Sequence, residues 1–128
     1  MFENLDVFRM SYAMAEHAAT QQALSARNMA NADTPGYTAR DLPPFAEMLR
    51  DRSDAFALTA TRPGHLNAAE NPFLARMIER ATERDPNGNS VSLEEEMLQS
   101  VNAGRQHDLA LSIYKSSLGV LRTAIGRQ

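Results

Sequence analysis

Small and apolar residues recur at helical spacing at both ends of the chain. Near the N-terminus Leu5, Phe8, Tyr12, Ala15, Ala19, Gln22, Ala26 and Met29 follow one another at alternating three- and four-residue steps. That is the heptad pattern of a helix packed lengthwise on another helix. Much of this seam is alanine, which permits close helix approach but buries little area, at about 0.8 kcal/mol per methylene-sized group. Toward the C-terminus Met97, Val101, Gly104, Leu111, Tyr114, Leu118, Leu121 and Ile125 trace a second stripe, with Asp108 where an apolar residue is expected. Ser92 is placed to cap this second helix and Glu95 to reach back in a capping box. Glu94, Glu95 and Glu96 suit its first turn, and Arg122 and Arg127 its carbonyl end. The spacing predicts that this helix runs to about Ile125.

The first helix must stop at Thr34-Pro35-Gly36-Tyr37. Pro35 disfavours the α conformation at Thr34, and Gly36 supplies the positive φ of a type II turn. Asn28 and Asn31 carry short amides that bond to nearby backbone and suit a terminal turn. The middle is rich in turns. Leu42-Pro43-Pro44 interrupts the chain, Phe45–Leu49 predicts a short helix, and Ala55–Thr61 alternates weakly as an extended piece. Arg62-Pro63-Gly64-His65 reads as a turn, and Asn71-Pro72-Phe73 opens a short helix through Arg80, with Pro72 at an early position. The polar run Asp85–Ser90 follows. The chain thus reads as mainly α, with long N- and C-terminal helices pairing as a coiled-coil-like hairpin around a middle of short helical and extended pieces. One domain overall is expected, divided into an N-terminal helix (1–32), a turn-rich middle (33–92) and a C-terminal helix (93–128).

At 128 residues, with 43% hydrophobic but only 6% aromatic content and no tryptophan, the chain lacks strong burial anchors, and a self-sufficient globule is marginal. A net charge of −3 and a single lysine, Lys115, argue against a surface that tracks nucleic-acid phosphates. The absence of cysteine excludes disulfides, thiolate metal sites and cysteine nucleophiles. No span of about 20 apolar residues predicts a membrane crossing, and the acidic start at Glu3 and Asp6 does not read as a cleaved secretory signal.

Candidate chemistry is sparse. Asp85, Asn87, Asn89 and Glu96 fall at positions one, three, five and twelve of a calcium loop. Ser90, however, stands where that loop needs glycine, and an Asn-Gly turn leading into a capped helix accounts for the same residues. His17, His65 and His107 lack metal-ligand spacing and read as packing or surface residues. No nucleophile elbow is present. Neither a catalytic residue, nor a cofactor, nor a bound metal is expected.

The run Asn28-x-x-Asn31-x-x-Thr34-Pro35-Gly36-Tyr37, entered from an Ala/Leu-rich helix, resembles the N-terminal signature of the flagellar axial (rod and hook) proteins. Leu58–Leu66 with its Thr59-x-x-x-Pro63-Gly64-His65, the Asn87–Met97 lead into the last helix, and the Leu118–Gly126 close are similar to patterns of proximal rod proteins in that family. Ser92 stands where the family often has Asp.

The resemblance implies a structural, non-enzymatic rod component of the bacterial flagellar basal body. Such a component is periplasmic, leaves the cell by the flagellar type III export apparatus without a cleaved signal, and polymerises with other rod proteins to transmit torque. It also implies partners: further rod subunits of its own, FlgC and FlgF type, the rod-base adaptor FliE and the export apparatus, with no nucleic acid and no membrane span. Both seams, without Gln22, Gly104 and Asp108, become the assembly surface, with Asn28, Asn31 and Thr34–Tyr37 as motif and turn. The alternatives are a calcium-responsive helical binding module, a cytoplasmic helical adaptor or, within the family, another proximal rod protein such as FlgC.

Overall fold

The computed structural model describes residues 2–54, 77–80 and 83–126. In chain order it comprises α1 (Phe2–Ala30), β1 (Arg40–Asp41), α2 (Phe45–Asp54), β2 (Ile78–Glu79) and α3 (Leu93–Ile125). The two long helices lie side by side and antiparallel. Ser25 near the end of α1 bonds Glu96 at the start of α3, while Phe8 meets Tyr114 edge-on with ring centroids 5.0 Å apart.

The lines that meet inside this pair are made of small residues. Ser11, Ala18 and Ser25 are buried at seven-residue intervals on α1, and Glu96, Ala103 and Ala110 at the same interval on α3. A seven-residue repeat keeps one line of each helix facing its partner, and serine and alanine allow close approach.

The sequence pattern marks a different line on each helix, one residue further along and so about 100° around the axis. Tyr12 is 68% exposed, Met97 60% and Ile125 76%. Ala19, Ala26, Val101, Leu111 and Tyr114 are also exposed. Phe8, Ala15, Met29, Leu118 and Leu121 are half-buried, and the side chain of Leu5 lies outside the described residues. Bulky residues on the facing lines would prop the helices apart, so the pairing selects the small lines and leaves several larger side chains exposed, while Phe8 meets Tyr114 across the pair.

α1 has a second covered flank. Ala13, His17 and Leu24 are buried there, and so are Ala39 and Leu42 of the following segment. His17 Nε2–H donates to the Pro43 carbonyl at 2.9 Å, and its ring leans on Phe45 at 5.6 Å between centroids. α2 covers the short helix expected at 45–49 and continues to Asp54; the Pro44 carbonyl accepts from Glu47 N–H at 2.9 Å at its start.

The expected helix through Arg80 is corrected over its described end. Ile78–Glu79 is instead a strand, antiparallel to β1 with Arg40 opposite Glu79 and Asp41 opposite Ile78. The extended form lets Arg80 N–H reach the Ala39 carbonyl at 2.9 Å and turns the Arg80 side chain toward the long helices. The extended piece at 55–61, the turn at 62–65 with His65, and the opening of the helix expected at 71–73 lie outside the described residues.

Candidate functional site

The Thr-Pro-Gly-Tyr turn forms as its residues dictate: Tyr37 N–H donates to the Thr34 carbonyl at 3.2 Å, and Gly36 takes φ +72°. The end of α1 leaves carbonyls without helical partners, and a remote side chain collects them. The buried Asn89 amide lies 3.0, 2.7 and 2.8 Å from the carbonyls of Asn31, Ala32 and Thr34. Asn89 is held in turn by its Oδ1 accepting from Val91 N–H at 2.8 Å and by its own N–H donating to Asn87 Oδ1 at 2.9 Å.

Gly88 closes the Asp85 turn at φ +81°, its N–H donating to the Asp85 carbonyl at 2.8 Å. A Cβ there would sit 3.4 Å from Gly36 Cα. Gly36 N–H donates to the Asn87 carbonyl at 3.0 Å, and Ser90 N–H to the Tyr37 carbonyl at 3.1 Å. Two motifs more than fifty residues apart in sequence therefore fit together glycine against glycine.

Beneath this junction lies a clasp of polar side chains. Glu96 is fully buried. Its Oε2 accepts from Ser25 Oγ at 2.8 Å, and its Oε1 accepts from Asn28 Nδ2 at 3.1 Å and Arg80 Nη1 at 2.8 Å. Arg80 Nη2 pairs with Asp41 Oδ2 at 3.1 Å, and Nη1 lies 3.6 Å from Glu95 at the rim. Gln21 Nε2 donates to Asp41 Oδ1 at 2.6 Å and to Gln99 Oε1 at 2.7 Å, while Gln99 Nε2 donates to Asp41 Oδ2 at 3.2 Å. Side chains of α1, β1 and α3 and the residue that follows β2 thus meet around one guanidinium, with Glu96 and Asp41 on it and Glu95 at its rim. Burial pushes the Asp41 carboxyl up, but hydrogen bonds from Gln21, Leu42 N–H and Gln99 and the Arg80 charge together hold it below its usual value.

Asn28, expected to bond to nearby backbone in a terminal turn, is part of this clasp. Its Oδ1 accepts from Tyr37 Oη–H and Arg40 N–H, each at 3.2 Å, and its Nδ2 also donates to the Arg40 carbonyl at 2.8 Å. Asn31 does bond locally, its Nδ2 donating to the Arg27 carbonyl at 2.8 Å. The Ser92 cap forms, accepting from Glu95 N–H at 3.5 Å, but the Glu95 carboxylate turns to Arg80 instead of reaching back, and Ser92 Oγ donates to Glu94 at 3.3 Å.

The calcium spacing is used otherwise. Asn87 and Asn89 serve the turn and the end of α1, and Glu96 is committed to Arg80, Ser25 and Asn28. Among the described residues no group of three His, Cys, Asp or Glu side chains could hold a metal ion. Gln21, Ser25 and Gln99 escape a periodicity reading because polar residues at helical spacing look like a solvated face, and Asp41 and Arg80 because they lie outside the long helices. The one available signal is that Gln21, Ser25 and Asn28 stand at i, i+4 and i+7, on one side of α1.

α3 also exposes large apolar side chains among its charged and polar ones, including Met97, Leu98, Val101, Leu109 and Val120. No helix among the described residues is long and apolar enough to cross a membrane.

No protein-family model matches the chain. Curated relatives do. The chain is 33% identical over 121 residues to the flagellar basal body rod protein FlgB of Escherichia coli, covering 88% of each. It is 31% identical over 121 residues to the protein of that name from Agrobacterium fabrum, covering 88% of this chain and 87% of the relative. To the Salmonella typhimurium protein it is 28% identical over 127 residues, covering 92% of each.

Proposed function

The chain belongs to the family of flagellar basal body rod protein FlgB, and on that premise we propose that it builds the proximal rod as a load-bearing subunit whose outward helix faces pack on neighbours. One observation carries this reading. After α1 and α3 have paired through their small residues, bulky apolar side chains still face outward, Tyr12 from α1 and Met97, Leu98, Val101, Leu109 and Val120 from α3. A helix apolar on more than its packed side calls for a further partner. The proposed assembly surface is the exposed part of the two predicted seams, Tyr12, Ala19, Ala26, Met97, Val101, Leu111 and Ile125, with Leu98, Leu109 and Val120 beside it. The chemistry supplied is mechanical: torque passes through many small contacts between subunits, and no catalytic side chain takes part.

The neighbours in this reading are other rod subunits of FlgB, FlgC and FlgF type and the adaptor FliE, reached after type III export to the periplasm. The shared name of the relatives favours the FlgB type over FlgC for this chain. Deleting the gene and imaging isolated basal bodies by electron microscopy tests the reading. Membrane rings and export gate without a rod are expected, with motility restored by the intact gene. Complete rods in the deletion strain would overturn it.

A further inference from the structure

The clasp divides its charges unevenly among the elements that build it. The donors that α1 and α3 themselves bring to Glu96 and Asp41 are neutral: Ser25, Asn28, Gln21 and Gln99. The guanidinium that answers both carboxylates comes from outside the helix pair, on Arg80 next to β2. A carboxylate with no exposed surface is stable only if it is paired as well as hydrogen-bonded, and removing one partner of a buried pair strands the other charge. The planar fork of arginine suits this task, because one side chain reaches two carboxylates from separate nitrogens.

We propose that Arg80 is a latch: docking of β2 on β1 delivers the charge that lets α1 and α3 close over Glu96, so the strand pair and this end of the helix pair open and close as one unit. The far end of the pair is held differently, by Phe8 on Tyr114 and by Ser11, Ala18, Ala103 and Ala110. Opening is therefore local. The device belongs to the folded chain itself and does not depend on assembly into a rod.

Amide hydrogen exchange on the full chain tests it, comparing Arg80→Gln, Glu96→Gln and the double variant with the parent. In Arg80→Gln, exchange should accelerate on the order of a hundredfold in residues 21–30, 39–41 and 93–99, with little change in residues 8–18 and 103–117. Adding Glu96→Gln removes the stranded charge and should recover roughly tenfold or more of the lost protection, a rescue that a merely space-filling Arg80 would not show. The latch is overturned by any of four results. They are unchanged exchange in Arg80→Gln, acceleration spread evenly along both helices, failure of Glu96→Gln to rescue, or a parent chain already unprotected around the clasp.

Discussion

Asp41 makes the clasp sensitive to acid. Its folded pKa lies below the ordinary 3.8, so its contribution to stability is fully present above that value. The contribution is lost as pH falls through the lower folded value, where both states are protonated. Urea titrations of the parent chain and Asp41→Asn should show the parent more stable at neutral pH, with the gap narrowing once the pH drops below 3.8. A gap that stays constant to the lowest pH at which both fold would rule out an ionised, clasp-bound Asp41.

Not every residue of this site is equally legible in the sequence. Pro35 and Gly36 announce their turn because the constraint is intrinsic to proline and to a positive φ. Ser92 announces a cap for a similarly local reason. Asn28 does not announce its role, since four of its hydrogen bonds go to Tyr37, Arg40 and Glu96, and an asparagine near a helix end satisfies a local explanation before any distant partner is known.

At the scale of elements, periodicity gives the extent of α1 and α3 but not the small residues buried between them, Ser11, Ala18 and Ser25 on α1 and Ala103 and Ala110 on α3. Hydropathy reports where the large side chains are, and this interface is built where they are absent. The strands β1 and β2 are two residues long and exist through each other and through Arg80, so no pattern within either one marks it. Close packing makes the interface intolerant of volume. Ala110 is 1% exposed, and Ala110→Leu should cost about 1–3 kcal/mol by forcing the helices apart. Ala19→Leu, on the outward face of α1, should stay within about 0.5 kcal/mol. Chemical denaturation of the isolated chain checks both. Equal effects would mean the two faces are not distinguished as described.

For the whole molecule, the inner and outer faces of the helix pair divide the work. Small residues and a polar clasp hold the hairpin together, which leaves large apolar side chains exposed for the contacts with other chains proposed above. A charge placed on the outer face should therefore spare the fold and damage assembly. Val101 is 53% exposed, so Val101→Asp loses little burial in the single chain yet sets a carboxylate on the face proposed to pack against a neighbouring subunit. That carboxylate would be buried without a partner, at a cost of several kcal/mol at each contact. The decisive measurement is rod assembly in cells whose only copy of the gene carries Val101→Asp, with the purified variant examined alongside. The account requires an unfolding midpoint and helix content matching the parent chain, normal export, and basal bodies that lack a rod in non-motile cells. Normal rods and full swimming in that strain would contradict it.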